Sequence, residues 1–311
     1  MSGPDEIEQV LTEVFDEASR ATDGEPASYI PELSAVDPDL FGLSICDADG
    51  NMTRRGDADH AFTIQSVSKV LSHLCVLACL DDDTIAERVG VEPTGEDYDS
   101  IIKLDHHKRP FNPMVNAGAI AVTDLLMSAH GEKALEKTLA VYARLLGREN
   151  VEIDDAVFQS EQRTGERNRA IAHLLKNFGL IDHPVEDVLA LYFKHCSVRV
   201  TTQDLARLGA VLARHGRAPG SDEVLLDTEC VRKALSVMFS CGMYNYAGQW
   251  IYEVGLPAKS GVSGCVLIVA PGRMGVGVYS PRVDARGSSV RGVLAGRLLS
   301  ERLNLHLLSG A

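Results

Sequence analysis

The sequence predicts an α+β fold: an antiparallel sheet drawn from both ends of the chain, flanked by helices, with an all-helical lobe inserted between the two halves. Three observations carry that prediction. Short β-prone runs joined by tight turns lie near residues 41–55 and again near 249–279. Strands that follow one another across short turns pair antiparallel. From about Asp81 to Ser240 the apolar residues instead recur at helical spacing.

Taken in order, Glu6 to Ala18 reads as an amphipathic helix, with Ile7, Val10, Leu11, Val14 and Phe15 on one stripe. A loop at Asp23-Gly24-Glu25-Pro26 leads to Tyr29-Ile30-Pro31-Glu32-Leu33. Phe41–Cys46 and Met52–Arg55 are strands about the turn signal Asp47-Ala48-Asp49-Gly50. Phe62 begins a strand that runs through a turn into an apolar helix ending near Leu80. Seven helices are expected in the middle: Thr84–Val89, Asn116–Ala129, Lys133–Leu146, Asn168–Phe178, Val185–His195, Thr202–His215 and Thr228–Phe239. Thr201 or Thr202 reads as an N-cap. Long loops are expected over 90–113 and 149–167, and loops of that length are often functional. Gln249–Val254 reads as a strand, 264–269 and 275–279 as a hairpin about Ala270-Pro271-Gly272-Arg273, and 289–303 as a closing helix. The α+β lobe is thus about 1–65 plus 241–311, and the helical lobe about 66–240.

Composition narrows the function classes. The chain has 311 residues, 45% of them apolar, and a formal net charge of −14. That length supports one large or two modest cores. The acidic balance disfavours nucleic acid and anionic membrane as partners. The N-terminus shows neither a basic n-region nor an apolar h-region, so no signal peptide is expected. No run is long and apolar enough for a membrane span. The seven cysteines are scattered without metal-ligand spacing, which suits a reducing cytoplasm. His106-His107 lacks partners at ligand spacing, so no metal and no cofactor are expected.

The chemistry centres on Phe62-Thr63-Ile64-Gln65-Ser66-Val67-Ser68-Lys69. Ser66 falls at a helix start, and Lys69 follows three residues later on the same helix face. A serine there is commonly an N-cap. A lysine held neutral one turn away makes it a nucleophile with its own base. A second Ser-x-x-Lys, Ser100 to Lys103, has no supporting context. Four more stretches are hard to explain as packing: Phe111 through Ile120, the polar loop Ser160 to Asn168, Cys241-Gly242-Met243-Tyr244-Asn245-Tyr246-Ala247-Gly248, and Ala258-Lys259-Ser260-Gly261-Val262-Ser263-Gly264 before an apolar strand.

Ser66-x-x-Lys69 with Lys259-Ser260-Gly261 resembles the serine β-lactamase and transpeptidase superfamily. Gln65-Ser66, Asn112 through Ile120, Ser160-Glu161 through Arg167-Asn168, and Pro257 through Val262 narrow the resemblance to the serine-dependent glutaminases. Tyr29 through Leu33 and Gly242-Met243-Tyr244 are similar to that family too, so the likeness spans roughly Tyr29 to Ser280. The resemblance implies a β-lactamase/transpeptidase-like fold and hydrolysis of L-glutamine to L-glutamate and ammonia. It implies Ser66 as nucleophile, Lys69 as general base, Tyr244 assisting proton transfer to the leaving ammonia, and Tyr29 closing over the site. Asn116, Glu161, Asn168, Tyr192, Tyr244, Val262 and Ser66 would hold the substrate. A homodimer or homotetramer is implied in the same way, and Glu92 through Tyr98 resembles a family segment bordering the site.

Glutamine's charges fit these residues. Its ammonium needs an acid, for which Glu161 is the natural partner. Its carboxylate needs donors, which Asn116, Asn168 and Tyr192 can supply. An oxyanion needs N–H groups, available at Ser66 and Val262. Lys259 is expected to give electrostatic support. A β-lactamase or peptidoglycan peptidase is the nearest enzyme alternative, but the helical block contains no Ser-Asp-Asn element. A binding protein on an inactive enzyme fold is the alternative of another class.

Overall fold

A computed structural model of the chain describes residues 3–95 and 104–309. The helix α1 (Pro4–Ala18) starts with proline at its first position and buries Ile7, Val10, Leu11, Val14 and Ala18 along one stripe. A single turn, α2 (Pro31–Ser34), precedes the hairpin of β1 (Gly42–Asp47) and β2 (Met52–Gly56). The Asp47 carboxylate closes that hairpin, accepting from the Asp49 and Asn51 N–H groups at 2.9 Å each.

The short strand β3 (Phe62–Thr63) leads through a 3₁₀ turn, Gln65–Val67, into α3 (Ser68–Cys79). The helical region continues with α4 (Asp82–Arg88), α5 (Asn116–His130), α6 (Ala134–Leu146), α7 (Asp155–Thr164), α8 (Glu166–Asn177) and α9 (Val185–Cys196). Then come β4 (Arg199–Val200), α10 (Thr202–Ala213), α11 (Thr228–Cys241) and α12 (Ala247–Glu253). The chain returns to the sheet with β5 (Ala258–Gly261), β6 (Cys265–Ala270) and β7 (Met274–Tyr279), and closes with α13 (Val290–Arg302).

The five-stranded sheet has the order β2-β1-β7-β6-β5, and every neighbouring pair is antiparallel. The two ends of the chain therefore meet at the β1–β7 pair, as the turn pattern implied. The period-2 rule assigns each face to a different core. Val266, Ile268, Val276 and Val278 join α1 and α13, while Leu267 and Val269 join α10 and the helical region. The helix α10 lies within residues 66–240 yet packs on the sheet. Glycines admit it: a Cβ at Gly277 would lie 2.0 Å from the Thr202 carbonyl oxygen, and one at Gly275 2.1 Å from the Ala210 nitrogen.

Two expectations are corrected. The expected strand 249–254 is the helix α12. Its Trp250 is buried, with Nε1 donating to the Leu256 carbonyl at 2.7 Å, so tertiary anchoring overrides local β preference. The expected loop 149–167 contains α7, which is capped by Asp154, whose carboxylate accepts from the Val157 N–H at 3.1 Å. The polar stretch Ser160 to Asn168 is thus the end of one helix, a corner at Gly165, and the start of the next. Ser100 to Lys103, and residues 96–98 of the Glu92 to Tyr98 segment, lie outside the described residues. Among the described residues no helix is long and apolar enough to cross a membrane.

Candidate active site

The 3₁₀ turn that carries Ser66 is held on both sides. Phe62 pairs with Val200, and the Ile64 N–H donates to the Val198 carbonyl at 2.8 Å. Gln65 then takes a left-handed backbone with φ of 46°, which for a non-glycine residue costs on the order of 1 kcal/mol or more. Its side chain offsets that cost. Gln65 Oε1 accepts from the Tyr29 hydroxyl at 3.0 Å, and Nε2 donates to Thr63 Oγ1 at 3.3 Å. The β5–β6 turn approaches so closely that a Cβ at Gly261 would lie 3.0 Å from the Ile64 carbonyl oxygen.

Lys69, in the first turn of α3, places Nζ 2.6 Å from Ser66 Oγ. The lysine is 2% exposed and Ser66 8%. Burial lowers the Lys69 ammonium to a pKa of about 8; Cys196 and then Glu161 pull in the other direction. Lys259 on β5 is buried too, and loss of hydration followed by the Lys69 charge holds its ammonium well below the usual lysine range. Its Nζ donates to the Ser260 carbonyl at 2.7 Å and lies 3.8 Å from the centre of the Tyr244 ring. Tyr244 also has a left-handed backbone, φ 55°, and its hydroxyl donates to the same carbonyl at 3.2 Å.

A cavity of about 250 Å³ opens at Ser66. Seven of the ten residues expected from the sequence line it: Tyr29, Ser66, Asn116, Glu161, Asn168, Tyr192 and Val262. Lys69, Tyr244 and Lys259 are not among the lining residues; Lys69 reaches the cavity through Ser66, and the other two pack together against β5. Glu161 is buried on α7 and accepts from the Tyr29 hydroxyl at 2.7 Å. Burial raises its pKa, opposed by hydrogen bonds from Tyr29 and Gln65 and by the Lys69 charge. Asn116 opens α5; its Nδ2 donates to Asn168 Oδ1 at 3.0 Å, and its Oδ1 accepts from the Tyr192 hydroxyl at 3.4 Å. The cavity thus offers one carboxylate at one place and a chain of amide and phenol groups at another, beside a lysine-paired hydroxyl. That arrangement fits a zwitterion with an acyl group to attack.

The sequence reading missed some lining residues as site members. Gln65 was visible only as the neighbour of Ser66, yet it ties Tyr29 to the turn that carries Ser66. Cys196 lines the cavity, and the Ser68 hydroxyl lies 3.8 Å from its Sγ; burial pushes its thiol up to about 11. A lone cysteine in an apolar helix carries no sequence signal for that place. Arg167 stood inside a noticed stretch, but its position at the cavity depends on the α7–α8 corner.

Comparison with known proteins agrees with this architecture. The glutaminase family model matches residues 24–308. A glutaminase of Trichormus variabilis is 47% identical over 304 residues, covering 98% of this chain and 91% of that protein. One from Rhodopseudomonas palustris is 45% identical over 303 residues, covering 96% and 97%. The solved structure of a probable glutaminase, ybaS, superposes with a TM-score of 0.95 at 35% identity, covering 99% of this chain and all of that one. The structure of Mglu in its glutamate form gives a TM-score of 0.93 at 40% identity, covering 100% and 71%. The fold is the β-lactamase-like fold of glutaminases, and the chain belongs to the glutaminase family.

Proposed function

We propose that this glutaminase hydrolyses the side-chain amide of L-glutamine through a Ser66 acyl-enzyme, with Lys69 as general base. The observation that carries the reading is the 2.6 Å approach of a buried lysine to a serine hydroxyl at the cavity floor. Neutral Lys69 takes the hydroxyl proton as Oγ bonds to the amide carbon. The backbone N–H groups of Ser66 and Val262 receive the oxyanion, each such donor being worth about 3 kcal/mol. Collapse breaks the carbon–nitrogen bond. The proton held by Lys69 passes to the leaving nitrogen with help from Tyr244, and ammonia departs. Water, deprotonated by the same lysine, then cleaves the ester to L-glutamate and restores the Ser66 hydroxyl.

In this reading Glu161 holds the α-ammonium, Asn116, Asn168 and Tyr192 hold the α-carboxylate, and Tyr29 closes the cavity through Glu161 and Gln65. Lys259 supports Tyr244 electrostatically. We further infer a cytoplasmic homodimer or homotetramer. The family resemblance supports assembly, and seven free cysteines suit a reducing compartment.

Ammonia release from L-glutamine, beside L-asparagine, D-glutamine and the chromogenic β-lactam nitrocefin, tests the reaction. L-Glutamine is expected to be preferred; the missing methylene of asparagine alone lowers kcat/KM by about 10–200-fold. Turnover of nitrocefin without glutamine turnover would favour the β-lactamase alternative. Glutamine binding without ammonia release would favour the binding-protein alternative.

A further inference from the structure

Glutamine bound as proposed leaves one charge answered only by neutral groups. Glu161 meets the ammonium, but Asn116, Asn168 and Tyr192 carry no charge to meet the carboxylate. Among the described residues that line the cavity, Arg167 is the one cationic side chain. It stands in the first turn of α8, directly before Asn168, and Gly165, Arg167 and Asn168 all face the cavity. The start of α8 therefore opens into the cavity, and no side chain caps it. A helix start carries partial positive charge. The Asn168 amide is fixed by Asn116 at 3.0 Å, and Arg167 is its neighbour in the chain and lines the same cavity. The α7–α8 corner is stiff. A Cβ at Gly165 would lie 2.6 Å from both the Glu161 carbonyl oxygen and the Phe193 ring. The α7–α8 corner thus joins Glu161, near the end of α7, to Arg167 and Asn168 in the first turn of α8.

We propose that Arg167 is a specificity-determining residue that pairs with the substrate's free α-carboxylate. It would restrict the enzyme to free amino acids, against glutamine α-amides and glutamine within a peptide. This assignment rests on the glutaminase reading. A guanidinium fork matches a carboxylate in geometry as well as charge, which a lysine or amide does not. Its exposed rim position lets it draw the substrate in before the cavity closes.

The test compares Arg167→Gln, Arg167→Lys and wild type on L-glutamine and on the α-carboxamide of L-glutamine. Isoglutamine formation is followed by chromatography. Loss of a charge-assisted hydrogen-bond pair is worth about 10- to 100-fold. Arg167→Gln is expected to raise KM for L-glutamine by about that factor with a much smaller change in kcat. The preference of kcat/KM for L-glutamine over the carboxamide is expected to fall by the same factor. Arg167→Lys is expected to recover part of it. Equal losses on both substrates, or an unchanged preference, would overturn the assignment. Calorimetric binding of L-glutamate supplies an arm that needs no turnover. Binding weaker by about 10- to 100-fold in Arg167→Gln supports the assignment, and equal affinity overturns it. Absence of ammonia release by wild type, with this affinity difference intact, would sink the hydrolytic reading and leave the carboxylate site standing.

Discussion

The two walls of the cavity are built to different standards of dryness. On one side Ser66 lines the cavity and Lys69 and Lys259 lie behind it, both almost without solvent; Val67, Val70 and Leu71, next to Ser66 and Lys69 in the chain, belong to the largest core. The facing wall is mixed: Glu161, Asn116 and Tyr192 are buried, and its outer part meets solvent. Tyr29 is 45% exposed, Arg167 is exposed, and the Tyr29–Leu33 segment rests on a small separate cluster of Ile30, Leu33 and Val157. The difference follows from what each wall handles. A lysine becomes a base near neutral pH only where its charge is poorly hydrated. A zwitterion has to be collected from water, so in the proposed reading Tyr29 and Arg167 meet it at the solvent edge and the groups that hold it lie deeper. Changes around Ser66 and Lys69 should therefore act on kcat, and changes in the facing wall on KM.

The sharpest break of that contrast is Ser66→Ala, expected to lower kcat by on the order of 10⁴–10⁶-fold, read as ammonia release with the fold checked by circular dichroism. The pH profile sharpens it. Lys69 acts as a base only when neutral, and its ammonium titrates at about 8. Activity should thus rise with pH, reach half its plateau near pH 8 and level off about one unit above. A rising limb set by a group titrating near pH 6 would assign the base elsewhere. On the facing wall, Glu161→Gln removes the proposed partner of the ammonium and should raise KM by about 10- to 100-fold with a smaller change in kcat. Tyr29→Phe removes a hydroxyl that donates to Glu161 and Gln65, and should raise KM by about 2- to 10-fold.

The smallest effect lies behind both walls. His73 on α3 is 3% exposed, its Nδ1 has no partner, and burial lowers it to about 4. Folded His73 is therefore neutral at pH 7, while the unfolded chain binds a proton below about 6.5. Unfolding is favoured progressively as pH falls from about 6.5 to 4, by a few kcal/mol at most. His73→Leu should raise the melting temperature and flatten that acid limb in denaturation experiments. His195 titrates lower, at about 3, but its nitrogens meet Ser72 at 3.3 Å and Thr138 at 3.0 Å. Its replacement would strand those hydroxyls and should destabilise.

How much was legible differs between the walls for a related reason. Ser66 and Lys69 are three residues apart, and helical spacing alone places them together. The hairpins β1–β2 and β6–β7 announce themselves by turns and alternation. Tyr29, Gln65 and Glu161 meet across 36 and 132 residues, and no local pattern encodes that meeting. The helix α7 was hidden because its exposed face is polar and its core contribution is short: Val157, Ser160 and Glu161 are buried. The segment 249–254 misled through its Trp, Ile, Tyr and Val, which suit a strand. What decides it is Trp250, buried between α12 and α13, where a Cβ at Gly296 would lie 2.6 Å from the indole.

The most direct test of the serine mechanism is partition of the reaction with hydroxylamine. An ester at Ser66 is open to attack by any small nucleophile after ammonia has left. With hydroxylamine present, γ-glutamyl hydroxamate should appear at the expense of glutamate, while ammonia release continues undiminished and Ser66→Ala forms neither product. If glutamate instead accounts for all the ammonia at every hydroxylamine concentration, water attacks glutamine directly and the acyl-enzyme account is wrong.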